Sequence, residues 1–125
     1  MNVNTASICL GANTPDASVR LEAAFAFVDT LGTVSQSTPP YPTAPEYAGE
    51  TEPYLNQIVI LATELGLEDL CRRTKAYQTA VRDENEYAPL VNIDIDIVEW
   101  NDMVVRQADA SASYYRTGLS MLKDI

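Results

Sequence analysis

The chain has 125 residues, 46% of them hydrophobic and 21% charged, with a formal net charge of −10. That composition fits one globular domain, 1–125, and argues against a disordered or membrane-spanning chain. With only eight lysines and arginines, nucleic acid and anionic membrane are poor partners, and the absence of histidine removes both a Ser-His-Asp site and the usual base near neutral pH.

The N-terminus, MNVNTASICLGAN, has no basic start followed by an apolar core, so a soluble, cytoplasmic protein is expected. ASICLGAN, Ala6 to Asn13, reads as a short buried strand ending in a glycine turn. A helix is predicted next. Thr14 suits its N-cap, Pro15 its first position and Asp16 its positive end. Leu21, Ala24, Phe25, Val28 and Leu31 recur at helical spacing, and Gly32 suits the stop. TVSQST reads as a second strand.

The proline-rich segment from Pro39 to Pro53 reads as a loop, barred from any central strand. Its length suggests a functional role. YLNQIVILATEL reads as a strand. In GLEDLCRRTKAYQTAVR the residues Leu67, Leu70, Cys71, Thr74 and Tyr77 share a helical face. DENEYAPLVN reads as a polar loop, IDIDIVEW as a strand and NDMVV as a turn with a return strand. QADASASYYRTGLSMLKDI reads as one closing helix. Cys9 and Cys71 sit in apolar patterns and are expected to be buried thiols. Together the elements predict an α+β fold: a ferredoxin-like β-α-β-β-α-β sandwich with its helices on one face, an added hairpin and a C-terminal helix.

Asp94 and Asp96 are the chemical feature of the sequence. Residues two apart on a strand share a face, roughly 6.6 Å from each other. The two aspartates therefore point one way while Ile93, Ile95 and Ile97 point into the core. An alternating strand exposes polar residues in any case, so a solvated face accounts for the pattern too. Yet aspartate is a poor strand former, and adjacent like charges repel. A Mg²⁺ ion would relieve that repulsion, because it takes one or two carboxylates together with substrate phosphates.

Three stretches resemble the 6-hydroxymethyl-7,8-dihydropterin pyrophosphokinase family. ICLGAN is similar to that family's first strand and Gly-Ser-Asn turn. YPTAPEYAGETEPYLNQIV is similar to its Tyr-x-Thr-x-Pro loop leading into Tyr/Phe-Leu-Asn. NIDIDIV is similar to its Leu-Asp-Leu-Asp-Ile. The resemblance runs from Ser7 to about Val105, and the family's fold is the ferredoxin-like sandwich. It implies pyrophosphoryl transfer from ATP to a pterin alcohol in folate biosynthesis. Asp94 and Asp96 would hold two Mg²⁺ ions, and Thr43, Tyr54, Asn56, Gly11 and Asn13 would surround the pterin. Arg82 and Arg116 would act on the phosphates.

The sequence departs from the family where phosphate-binding cations are expected. EYAPLVNID, Glu86 to Asp94, keeps Pro89 but has neither the arginine nor the tryptophan usual there. The family's Pro-His pair has no counterpart in RQADASASYYRTG, where Arg116 stands for the arginine that follows it and Arg106 is a further cation. ATP carries about four negative charges, and phosphate sites normally use several cations beside the metal. The alternatives are therefore an active transferase, a catalytically inactive relative that binds a pterin or nucleotide, and an interaction domain.

Overall fold

The structure, a computed structural model, describes residues 3–45 and 48–123. Met1, Asn2, Glu46, Tyr47, Asp124 and Ile125 lie outside the described residues, so parts of the proline-rich segment and of the closing helix do too.

Strand β1 (Asn4–Ala12) leads to helix α1 (Ala17–Asp29) and strand β2 (Thr33–Ser37). The short strand β3 (Tyr41–Thr43), strand β4 (Tyr54–Thr63), helix α2 (Leu67–Arg82) and strand β5 (Asp94–Trp100) follow. The chain ends in strand β6 (Met103–Val104) and helices α3 (Gln107–Ala110) and α4 (Ser113–Lys123). The fold is α+β, with an open antiparallel six-stranded sheet in the order β2-β4-β1-β5-β6, and β3 beside β4.

Strand alternation divides the packing into two cores. Ile8 and Leu10 of β1, Val59 and Leu61 of β4, and Ile93, Ile95 and Ile97 face α1 and α2, where Leu21, Ala24, Val28 and Leu70 are buried. Cys9, Ile58 and Val98 face the other way and are covered by Tyr115 and Leu122 of α4. The expectation of helices on one face holds for α1 and α2, whereas α4 makes a second layer on the opposite face. Gly118 marks where α4 approaches closest: a Cβ there would lie 2.3 Å from the Tyr41 hydroxyl and 2.4 Å from Ile58 Cδ1. Tyr115 anchors α4 to the sheet, its hydroxyl lying 2.5 Å from Ser7 Oγ and donating to Glu99 Oε2. Burial, and then the Glu99 carboxylate, push the Tyr115 phenol up from its usual range, which keeps it a donor.

Several sequence expectations are corrected. Helix α1 starts after Asp16 rather than Thr14, because the Thr14 hydroxyl is spent on the Asp16 carboxylate (2.6 Å) and Ala17 closes a tighter turn onto Thr14 O. It stops at Asp29. Gly32 serves a different need: a Cβ there would come within 2.1 Å of Ala62 O. The proline-rich segment is not wholly loop, since Tyr41–Thr43 pairs with the start of β4. Pro42 is tolerated because β3 pairs on one side only. The closing helix is two helices, broken at Ser111 and Ala112. Both cysteines are thiols, but only Cys9 is buried.

Candidate functional site

Most of the predicted site residues meet at one end of the sheet, on the face that α4 partly covers. Asn56 pairs with Gly11, and Gly11 with Asp94, so three strands place these residues in one row; Tyr41 extends it on β3. The next row runs Ile58, Cys9, Asp96. Gly11 is required by its neighbour: a Cβ there would lie 2.7 Å from Asn56 Oδ1. The Asn56 amide therefore leans over Gly11, and no side chain of β1 stands between it and Asp94.

Asn56 is 1% exposed. Its Nδ2 donates to Thr43 Oγ1 (2.6 Å), and its Oδ1 is buried with no hydrogen-bond partner among the described residues. A buried, unpaired amide oxygen is costly and marks a place where a donor is wanted. Tyr54, which pairs with Thr43 across the strands, is 2% exposed and donates its hydroxyl to Glu50 Oε2 (2.6 Å). Asn13 lies just beyond β1. Its Oδ1 accepts the Val91 N–H (2.6 Å), its N–H donates to Val91 O (2.8 Å), and its Nδ2 is a second buried orphan. Asn13 thus ties the end of β1 to the chain entering β5; the glycine turn expected at Gly11 is instead strand, because Gly11 pairs with both Asn56 and Asp94.

The aspartates sit on β5 as the alternation predicts. Beyond Asp96 the strand carries a feature the sequence hides. The register with β1 slips between Ser7 and Ile8, and a bulge at Val98 turns both Val98 and Glu99 toward α4 while Trp100 returns to the first core.

Only the last two residues of β5 pair with β6. At its start the outer edge is instead met by side chains of α2. Gln78 Oε1 accepts the Ile95 N–H (2.8 Å), Lys75 Nζ donates to Ile95 O (3.0 Å) and Arg82 Nε donates to Ile93 O (3.1 Å). Satisfying a strand edge in this way removes it as a template for pairing with other chains.

The same helix brings cations to the carboxylates. Arg82 Nη2 lies 3.3 Å from Asp94 Oδ1, and Lys75 Nζ lies 3.6 Å from Asp96 Oδ1. Arg106, in the turn before α3, places its Nε 3.6 Å from the same oxygen. Arg116 is exposed on α4 and pairs with neither aspartate among the described residues. Lys75 escaped the sequence reading. The available signal was the i, i+3, i+7 series Lys75, Gln78, Arg82 beside the apolar stripe of α2.

Even with these cations, Asp96 holds its proton more tightly than a free aspartate does. Burial first, and then the Asp94 charge, push the Asp96 carboxyl up from 3.8 to about 6, against the pull of Arg106 and Lys75. Among the described residues no group of three or more His, Cys, Asp or Glu side chains could hold a metal. The donor set still fits Mg²⁺, which needs only one or two carboxylates when a substrate's phosphates complete its shell.

The raised Asp96 value has a measurable consequence. The native state holds this proton more tightly than the unfolded chain, so its stabilising contribution is full below pH 3.8 and is lost as pH rises through about 6. Wild type is therefore expected to lose on the order of 2 kcal/mol more stability than Asp96→Asn between pH 4 and pH 7, without metal. Paired urea titrations at the two pH values measure this. Parallel pH profiles for the two proteins would show that Asp96 is not buried against Asp94.

The arrangement is thus a carboxylate pair ringed by three cations, with no side chain of β1 between it and an unpaired amide. No curated protein gives a significant match to the chain. A family model does: that of 7,8-dihydro-6-hydroxymethylpterin-pyrophosphokinase matches residues 7–121, a span that holds both strand rows and all three cations. No helix among the described residues is long and apolar enough to cross a membrane. With most of its length matched, and the matched stretch carrying the carboxylate pair, the chain belongs to the 7,8-dihydro-6-hydroxymethylpterin-pyrophosphokinase family.

Proposed function

We propose that the chain transfers the pyrophosphoryl group of ATP to the hydroxymethyl oxygen of 6-hydroxymethyl-7,8-dihydropterin, a step of folate biosynthesis, with Mg²⁺ held at Asp94 and Asp96. Family membership supports a pyrophosphokinase role. The observation that carries the reading is the row Asn56–Gly11–Asp94. It sets the backbone of a residue with an unpaired amide oxygen and that of a carboxylate about two strand spacings, or roughly 10 Å, apart, with only a glycine between. The β-α-β-β-α-β order, with β1 between β4 and β5, favours the ferredoxin-like reading of the sheet.

In this proposal the Asn56 Oδ1 accepts an N–H from the pterin edge, and Thr43 fixes the amide so that the oxygen stays aimed at the pocket. Tyr54 and Asn13 complete the pocket's rim. The pterin hydroxyl attacks the β-phosphorus of ATP. A new P–O bond forms, the bond from the β-phosphorus to the α-phosphate oxygen breaks, AMP leaves and the hydroxyl proton passes to solvent. Mg²⁺, when bound, neutralises phosphate charge and aligns the oxygens for in-line displacement. Arg82 and Lys75 serve as counter-cations for the phosphates, with Arg116 as a further candidate on α4.

Calorimetry with hydroxymethyl-dihydropterin, with and without Mg²⁺ and a non-hydrolysable ATP analogue, tests the reading alongside an assay of AMP release. Binding of both ligands with turnover is expected. Pterin binding with no nucleotide binding would favour an inactive relative, consistent with a segment 83–92 that offers no cation. Binding of neither would leave an interaction domain.

Gly11→Ala probes the pocket without touching a charge. The new methyl must displace the Asn56 amide, which lies 2.7 Å from where it would sit. Pterin affinity is expected to fall at least about tenfold, the scale of one mispositioned buried hydrogen bond. Metal binding should be retained. Unchanged pterin affinity would remove Asn56 from the pocket.

A further inference from the structure

Arg106 is held more firmly than a chance surface contact requires. Its Nε faces Asp96 Oδ1 at 3.6 Å and, closer still, Asp109 Oδ2. Asp109 is 7% exposed and is the buried residue of the four-residue helix α3. A carboxylate in such a place carries a desolvation cost unless it is paired. Its other oxygen accepts the Tyr114 hydroxyl from α4. The backbone is pinned as well, since Val98 O accepts the N–H groups of both Val105 (2.8 Å) and Arg106 (3.2 Å). Elements α3, α4 and β5 thus converge to set one guanidinium against the buried carboxylate of the pair. A small cavity of about 100 Å³ adjoins it, lined in part by Asp96, Lys75, Cys71 and Arg106.

We propose that Arg106 is a gate on the carboxylate pair: positioned by Asp109 and Tyr114, it keeps divalent metal alone off Asp96 and yields to a metal that arrives with a polyphosphate. The inference rests on the reading of Asp94 and Asp96 as metal ligands. A lone dication must approach an oxygen already facing a guanidinium at 3.6 Å, and at that range like charges repel appreciably in a half-buried setting. A polyphosphate changes the balance, because its oxygens accept paired hydrogen bonds from the guanidinium and bind the metal as well. The phosphates draw Arg106 off Asp96 as the metal takes its place. The protein thereby avoids holding metal without the nucleotide that needs it.

The probes are Mn²⁺ alone and the preformed Mn²⁺–tripolyphosphate complex, titrated into wild type, Arg106→Gln, Arg106→Gln/Asp109→Asn and Asp94→Asn. The double variant removes arginine and buried carboxylate together, so no uncompensated charge is left to unfold α3. Both Arg106 variants are expected to bind Mn²⁺ alone about tenfold more tightly than wild type and to bind the complex more weakly. A purely structural role for Arg106 cannot produce opposite signs. If Asp94→Asn weakens binding of the Mn²⁺–tripolyphosphate complex while neither Arg106 variant strengthens binding of Mn²⁺ alone, the gate is overturned and the metal site stands. If Asp94→Asn leaves binding of the complex unchanged, both fall.

Discussion

Asp96→Asn, with Asp94→Asn as its companion, is expected to lower pyrophosphoryl transfer by about a thousandfold or more, the scale on which removal of one preorganised charge-stabilising group acts. The metal-free fold is expected to survive. Asp96 meets Lys75 and Arg106 at 3.6 Å, but neither cation depends on it: Lys75 also bonds Ile95 O, and Arg106 also pairs with Asp109. Losing the Asp96 charge relieves its repulsion with Asp94, a cause of its raised carboxyl value. Initial rates, Mn²⁺ titration and thermal melting on the same preparations separate the possibilities. A rate within about tenfold of wild type would make the two aspartates an ordinary solvated strand face, and pyrophosphoryl transfer would have to be placed elsewhere or abandoned. A collapsed melting temperature without metal would mean that Asp96 is chiefly structural.

The pair was legible in the sequence because a strand repeats every two residues, and Ile93, Ile95 and Ile97 announce both the core face and its opposite. What surrounds the pair was not. Lys75 and Gln78 lie beside the apolar stripe of α2, where spacing alone says only that polar residues are solvated. Their partners are backbone atoms of β5, and a strand edge left unpaired by its neighbour is a fact of sheet order, not of local pattern. Arg106 reaches Asp96 because the Val98 bulge and the β6 turn redirect the chain, and neither has a residue signature here. The prolines marked an interruption correctly but concealed Tyr41–Thr43, since one-sided pairing tolerates Pro42. The second core under α4 was missed because Cys9, Ile58 and Val98 are spread over three strands that only the fold brings together.

Ile95→Ala is expected to cost about 2–5 kcal/mol, the range for deleting most of a fully buried aliphatic side chain. Ile95 is 0% exposed, pairs with Leu10 across the strands and packs in the core formed with α1 and α2. Its backbone N–H and C=O are held by Gln78 and Lys75, so the strand cannot shift freely to fill the space. Incomplete collapse places the cost toward the upper part of that range. Ile95→Val should lose roughly 0.5–1.5 kcal/mol. Val104→Ala, at a side chain 47% exposed, should stay within about 0.5 kcal/mol. Urea unfolding with an unchanged m-value reads all three as changes in stability alone. The measurement also bears on the site. A slip of one residue in β5 would carry Asp94 and Asp96 to the core face and Ile95 to the other, because the side-chain period is two. An Ile95→Ala loss below about 1 kcal/mol would therefore break the register with Leu10 and, with it, the row that joins Asn56, Gly11 and Asp94.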